Sequence, residues 1–214
     1  MINFKNSIGR VTEQVLIAKG ITDKNTLDAL RKIPREKFVE ESLKELSYSD
    51  APLPIGYNQT ISSTYTVALM TQSLCLNKSH KILEIGTGSG YQAAILSMLC
   101  MSVFTIERIR NLSLKARDIA GKLNVHNITF IIGDGTIGFK EYAPYDRILV
   151  TACSPDVPEA LFAQLSEGGI MVMPLENGGS QNIFVIEKKN GKMCSNSIAP
   201  ANFVRLIGKD GFKS

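Results

Sequence analysis

From His80 onward the chain alternates short apolar runs with amphipathic ones. Residues 81–86, 102–107, 128–132, 145–151 and 169–174 read as strands; 91–100, 109–123 and 158–165 read as helices. The 109–123 stretch repeats every 3.6 residues through Ile109, Leu112, Ala116, Ile119, Ala120 and Leu123. Strands apolar at nearly every position, with helices between them, predict a parallel sheet covered on both faces. Right-handed crossovers then bring every strand's C-terminal end to one edge. That edge collects the glycines of 86–90, Glu107, Gly133-Asp134-Gly135 and the loop 151–155. Residues 183–187 and 203–207 alternate as antiparallel strands would. The expected fold is α/β, a doubly wound Rossmann-like sheet with N-terminal helices and antiparallel C-terminal strands.

Before His80 the pattern changes. Residues 1–47 read as helical, with Val11, Val15 and Ala18 on one face of a first helix. A second helix is capped by Thr22 or Asp23, carries Leu27, Leu30 and Ile33, and is ended by Pro34. Residues 48–63 hold two prolines, a glycine and many hydroxyl or amide groups. They predict a long loop with neither helical nor alternating pattern, ordered by Leu53, Ile55 and Ile61. A helix over 64–76 follows, with Val67, Ala68, Met70 and Leu74 inward and Ser62 or Ser63 at its start.

Composition narrows the function classes. At 214 residues, 44% hydrophobic and 21% charged, the chain fits one ordinary globular domain. Its net charge is +4 with no run of five like charges, so nucleic-acid and membrane patches are not indicated. No apolar leader or 18-residue apolar span is present, and we expect a cytoplasmic protein. Cys75, Cys100, Cys153 and Cys194 lie far apart, and His80 and His126 are the only histidines. They give no metal-ligand spacing, so no metal site is expected; the cysteines read as reduced, with Cys75 and Cys100 in buried packing.

The chemistry gathers around Ile82-Leu-Glu-Ile-Gly-Thr-Gly-Ser-Gly-Tyr-Gln92. An apolar strand enters three glycines, Gly86, Gly88 and Gly90, and a helix leaves them. Glycine permits positive φ and close approach of backbone to a ligand, and free N–H groups face whatever sits over the helix start. Glu107, 21 residues beyond Gly86, ends the next apolar run, where a carboxylate can accept both hydroxyls of a ribose. A dinucleotide site spaces its glycines Gly-x-Gly-x-x-Gly around a pyrophosphate. Here the spacing is Gly-x-Gly-x-Gly, and Glu84 beside the loop suits an ammonium and a sulfonium better than a pyrophosphate. Asp134, one strand–helix unit further on, is placed to accept an adenine amine, with Gly135 leaving room for the ring.

The glycine motif resembles motif I of the S-adenosylmethionine-dependent methyltransferases. Residues 34 to about 208 resemble one family among them, the protein-L-isoaspartate O-methyltransferases. The resemblance rests on Pro34-Arg-Glu-Lys-Phe-Val39, Asp50-Ala-Pro-Leu-Pro-Ile-Gly56, Gln59-Thr-Ile-Ser62, 83–92, Ile106-Glu-Arg108, Gly133-Asp-Gly135, Ala143-Pro-Tyr-Asp146 and Gly168-Gly169. It implies a class I methyltransferase fold in a single domain over 1–214. Within it, 1–50 would be a helical segment, 51–66 the active-site loop, 67–188 the cofactor-binding core and 189–214 C-terminal strands. It implies a repair enzyme that methylates the free carboxylate of L-isoaspartyl, and D-aspartyl, residues in damaged proteins, working as a monomer.

Site residues follow by the same resemblance. Ser62 matches the family's active-site serine. Glu84, Gly86, Thr87, Gly88, Gly90, Gln92, Glu107, Arg108, Asp134, Gly135 and Thr66 are expected at S-adenosylmethionine. Ile55, Gly56, Tyr57, Asn58, Thr60 and Ile61 are expected at the substrate. The chain departs from the family pattern at three places: Thr64 and Arg205 stand where proline is usual, and Cys153-Ser154-Pro155 where Ala-Ala-Pro is. A carboxylate acceptor is already ionised near pH 7, so no strong general base is required, in keeping with two histidines in 214 residues. Another methyltransferase of the same fold, an NAD-dependent oxidoreductase and a binding protein without turnover are the competing readings; the Gln59–Ser62 motif argues against the first, and the glycine spacing and Glu84 against the second.

Overall fold

The computed structural model describes residues 10–213. Two short helices come first, α1 (Arg10–Ala18) and α2 (Lys24–Lys32). Asp23 caps α2 by accepting from the Thr26 N–H, and Ile33 ahead of Pro34 takes extended backbone, as expected. The face of α1 differs from the sequence reading. Leu16 is buried, whereas Val15 and Ala18 are exposed, and the Val11 side chain lies outside the described residues. The turn at Gly20, at φ +90°, folds Ile21 back so that its N–H donates to the Leu16 carbonyl, and this selects the Leu16 face.

The stretch 48–63 contains a hairpin where the sequence predicts an irregular loop. Strands β1 (Leu53–Gly56) and β2 (Gln59–Ile61) pair antiparallel. Leu53, Ile55 and Ile61 are buried beneath it, and Tyr57 and Asn58 make the two-residue turn at φ +56° and +55°. Helix α3 (Thr64–Ser73) follows, with Val67, Ala68, Met70 and Leu74 buried as expected.

The core alternates as the pattern predicts: β3 (Lys81–Ile85), α4 (Tyr91–Ser97), β4 (Ser102–Glu107), α5 (Arg110–Lys122), β5 (Ile128–Ile132), β6 (Tyr145–Val150), α6 (Glu159–Gln164) and β7 (Leu165–Asn177). Two antiparallel strands complete it, β8 (Ser180–Lys189) and β9 (Lys192–Ala201). The sheet order is β5-β4-β3-β6-β7-β8-β9, parallel through β7. Chain direction across the sheet reverses between β3 and β6, which opens a crevice at their C-terminal ends. Alternate residues fill two cores. Ile82, Val103, Leu149 and Val172 pack with α3 and α4 residues; Leu83, Ile85, Ile106, Ile148 and Met171 pack on the other side with Leu161 of α6 and Leu206.

Two expectations are corrected here. Residues 203–207 are not a strand of the antiparallel end; β9 holds that place, and 203–207 instead runs beside Cys153. β9 hides from the pattern because it is an edge strand, exposed along most of its length. Cys75 is exposed at φ +48°, beyond the end of α3, while Cys100 is buried as expected.

Candidate active site

The turn after β3 is bent into positive φ at all three glycines: +93° at Gly86, +52° at Gly88 and +86° at Gly90. Two of them also lack room for a side chain. A Cβ on Gly86 would meet Thr151 Oγ1 at 2.4 Å, and one on Gly90 would meet Ala116 Cβ at 2.8 Å. The turn opens into a cleft lined on this side by Gly86, Thr87, Gly88, Ser89, Gln92, Glu107, Arg108, Gly135 and Thr151. The opposite wall comes from Gln59, Thr60, Ile61 and Ser62 and from Val204, Arg205, Leu206 and Ile207.

Glu107 ends β4 almost wholly buried, its Oε2 accepting from the Gly88 N–H and its Oε1 from the Ile109 N–H, both at 2.9 Å. These bonds aim the carboxylate and join it to the glycine turn. Gln92, on the first turn of α4, donates to Thr71 Oγ1 at 2.9 Å. Gly135 reaches the cleft because it packs flat on β3; a Cβ there would meet Ile85 Cγ2 at 2.4 Å. The missing side chain thus answers to Ile85 as well as to the cleft that Gly135 lines.

Glu84 corrects the sequence reading. It lies beneath the turn, fully buried, and lines no part of the cleft. Its Oε2 accepts from Thr105 Oγ1 at 2.5 Å, and Thr105 meets Thr87 at 2.6 Å. Burial pushes the Glu84 carboxyl up to about 8 against the lowering effect of the Thr105 hydrogen bond. Near neutral pH it is held as the neutral acid, not as the anion expected to attract a sulfonium. Spacing along β3 placed it near the turn but could not tell that its side chain faces the interior.

Asp134 is also spoken for. Its Oδ1 accepts from the Thr136 N–H and hydroxyl, and its Oδ2 from the Lys209 N–H at 2.8 Å. Burial works to raise this carboxyl, and the hydrogen bonds from Lys209 and Thr136 outweigh it, holding the group below its ordinary value. The segment 208–211 packs directly on it, so Asp134 stands behind the cleft wall, not in it.

A second cavity adjoins the first and shares Thr60, Ser62, Thr151 and Val204 with it. Its remaining lining, which includes Pro52, Ser63, Ile183 and Phe203, carries no charged side chain. Thr66 belongs to this cavity and not to the cleft, since it sits in the first turn of α3 with its amide donating to Ser63 Oγ. Ser63 is therefore the N-cap of α3. Ser62, one residue earlier, faces both cavities.

The rest of the hairpin forms a roof. Ile55 is buried toward Gly88, where a Cβ would come within 3.5 Å of Ile55 Cδ1. Gly56, Tyr57 and Asn58 line neither cavity; Tyr57 accepts from Asn111 Nδ2 at 2.7 Å, which docks the hairpin tip on α5. Gln59, Ser89 and Val204 to Ile207 line the cleft without having been read as site residues, and Thr151 was read only as part of the loop 151–155 at the strand edge. Thr151 carried a signal, as the polar residue closing an apolar strand at the carboxyl edge; its hydroxyl donates to the Gly86 carbonyl at 2.7 Å. Residues 204–206 carried only the alternation of a strand. They reach the site because the Cys153 N–H donates to the Val204 carbonyl and the Leu206 N–H to the Cys153 carbonyl.

Comparison with known proteins gives the family. The family model for protein-L-isoaspartate(D-aspartate) O-methyltransferase matches residues 10–211. The chain is 48% identical over its whole length to protein-L-isoaspartate O-methyltransferase 1 of Syntrophobacter fumaroxidans, all of which is covered. It is 47% identical over 99% of its length to the Geobacter metallireducens protein-L-isoaspartate O-methyltransferase, covering 98% of that protein. Among solved structures, a protein-L-isoaspartate O-methyltransferase superposes with a TM-score of 0.85 at 31% identity, over 94% of this chain and 66% of the other. A Plasmodium falciparum protein crystallised with S-adenosyl-L-homocysteine superposes at 0.81 with 24% identity, over 92% of this chain and 97% of that one, a likeness of fold. With its glycine turn, its Glu107 tie and a match running through residues 10–211, this chain belongs to the protein-L-isoaspartate(D-aspartate) O-methyltransferase family.

Proposed function

We propose that Ser62 orients the free carboxylate of an L-isoaspartyl residue for methyl transfer from S-adenosylmethionine, the acceptor entering by the second cavity. The chain is a repair methyltransferase that acts on isoaspartyl groups in damaged proteins. S-adenosylmethionine supplies a methyl group on a positively charged sulfur. The cleft fits such a ligand: Gly86 and Gly88 present backbone, Glu107 presents an aimed carboxylate, and Gly135 opens the wall beside them.

The observation that carries the reading is the place of Ser62. It lies where the two cavities meet, and the capping duty beside it falls on Ser63. Among the described residues no side chain engages the Ser62 hydroxyl, which leaves it free to donate to a ligand. The acceptor carboxylate arrives ionised, with an ordinary pKa of about 3.5. Catalysis therefore asks the protein for alignment more than for proton transfer, and alignment can supply up to about 7–11 kcal/mol. The uncharged lining of the second cavity suits a peptide backbone with small neutral neighbours. A cytoplasmic setting without nucleic-acid binding draws support from the four free cysteines and the net charge of +4.

The test uses labelled S-adenosylmethionine with two peptides identical except for L-isoaspartate against L-aspartate. Base-labile label on the isoaspartyl peptide alone is the expected result. Labelling of both, or of neither while S-adenosylhomocysteine binds, overturns the acceptor assignment.

A further inference from the structure

Arg35 is fully buried, yet no carboxylate meets it among the described residues. Its Nε donates to the Ser47 carbonyl at 2.6 Å and its Nη2 to the Ser62 carbonyl at 2.7 Å. The guanidinium carbon lies 5.0 Å from the centre of the Tyr91 ring. Tyr91 is itself buried, lines the cleft and is the first residue of α4, immediately after Gly90. Phe38 meets the same ring edge-on at 5.4 Å. Behind Arg35, Tyr48 accepts from the Arg35 N–H at 3.1 Å and donates to Glu36 at 2.5 Å. Arg35 Nη1 is left without a partner.

As a source of stability this is a poor arrangement. A buried cation without an anion carries an uncompensated desolvation cost, and an apolar side chain of similar volume would serve packing better. What a guanidinium offers instead is a planar fork with donors in fixed directions and a face that stacks on a ring. Here the fork donates to the Ser62 carbonyl while its face lies over the Tyr91 ring, so one side chain touches both elements. Ser62 follows the last residue of β2 and precedes the cap of α3, so its carbonyl belongs to neither the hairpin ladder nor the helix. Tyr91 belongs to the glycine turn.

We propose that Arg35 is a positioning residue of the methyl-transfer site, holding Ser62 at a fixed distance from the glycine turn through the Ser62 carbonyl and the Tyr91 ring. The N-terminal segment thereby sets the spacing between acceptor and cofactor sides. The inference rests on the reading of Ser62 as the group that orients the acceptor.

The test is a double-mutant cycle of Arg35→Lys and Ser62→Ala, with kcat, peptide KM, S-adenosylhomocysteine affinity by calorimetry and melting temperature measured for each protein. Lysine keeps the charge but cannot reach both carbonyls and the ring. Arg35→Lys is expected to keep S-adenosylhomocysteine affinity within about 3-fold and to lower kcat by about 10-fold or more, with peptide KM moving less. In the Ser62→Ala background the same change is expected to alter kcat by less than about 2-fold, because the group it positions is gone. Losses that multiply in the double variant, or wild-type kcat in Arg35→Lys, overturn the inference while leaving the role of Ser62 intact. Wild-type kcat in Ser62→Ala removes the role of Ser62 and the inference with it. Should Arg35→Lys not fold, Tyr48→Phe runs through the same cycle, with about a 3-fold loss expected in the wild-type background and none in Ser62→Ala.

Discussion

On the cofactor side of the cleft, Gly86–Gly90, Glu107 and Gly135 all hang from the ends of adjacent parallel strands, β3, β4 and β5. On the acceptor side, Thr60, Ser62, Val204 and Arg205 come from two stretches far apart in sequence, neither of them part of the parallel sheet. The first side inherits its geometry from strand register: the Gly86 N–H donates to the Ile106 carbonyl and the Gly133 N–H to the Glu107 carbonyl, so neighbouring loops start level. The second side has only the short β1–β2 hairpin ladder, which stops before Ser62. It is set by single ties, Arg35 to the Ser62 carbonyl, Asn111 to Tyr57, and Cys153 to the backbone on either side of Arg205. One wall is stiff because the sheet is stiff, and the other is only as well placed as its ties. Substitutions on the first should damage binding, and those on the second should damage turnover.

The largest effect is expected at Gly90. Alanine there faces φ +86° and a 2.8 Å contact with Ala116 Cβ. Strain on the order of 1–3 kcal/mol in the turn should weaken S-adenosylhomocysteine binding by roughly 10- to 100-fold and lower the melting temperature. Wild-type affinity by calorimetry would show that the turn tolerates a side chain and that its stiffness is not what holds the ligand. Glu84 gives a pH-dependent effect from beneath the same turn. Folded, it keeps its proton up to about pH 8, whereas the unfolded glutamate loses it near 4.5. The unfolded chain therefore binds fewer protons across that window, and wild-type stability falls as pH rises from about 4.5 to 8. Glu84→Gln abolishes the titration, so its stability relative to wild type should rise by a few kcal/mol, on the order expected for such a shift, between those limits. Parallel stability profiles in urea would contradict the neutral-acid assignment.

Smaller effects separate the walls further. Glu107→Gln cannot accept from both the Gly88 and Ile109 N–H groups, since one of its two atoms is now a donor. About a 10-fold loss of S-adenosylhomocysteine affinity is expected, with peptide KM unchanged. Asn111→Ala releases the exposed hairpin tip and should raise peptide KM by about 2- to 3-fold while leaving cofactor affinity alone. An effect of Asn111→Ala on cofactor binding alone would assign the hairpin to the wrong wall.

The same contrast explains what could be read in advance. Periodicity in 81–177 gave each strand and helix of the parallel half within a few residues, and with them the edge where Gly86, Glu107 and Gly135 meet. Local pattern suffices there because each loop sits where its own strand ends. The hairpin was missed because its two-residue turn, Tyr57-Asn58, holds positive φ without a glycine at either position. β9 was missed because an edge strand exposed along most of its length need not alternate. Residues 204–207 and Arg35 reach the site only through contacts across more than 25 positions of sequence, to Cys153 and Ser62. Glu84 on β3 and Asp134 just after β5 were legible as acids at the right edge, but not the partners that claim them, Thr105 and Lys209.

Ser62→Ala is the variant in which the two walls should part most cleanly, and S-adenosylhomocysteine affinity and kcat on an isoaspartyl peptide can be measured on one preparation. Affinity within about 2-fold of wild type together with kcat lowered by about 100-fold is the predicted result, the size seen when a donor to a reacting oxygen is removed. Wild-type kcat, or a fall in affinity matching the fall in kcat, would contradict it.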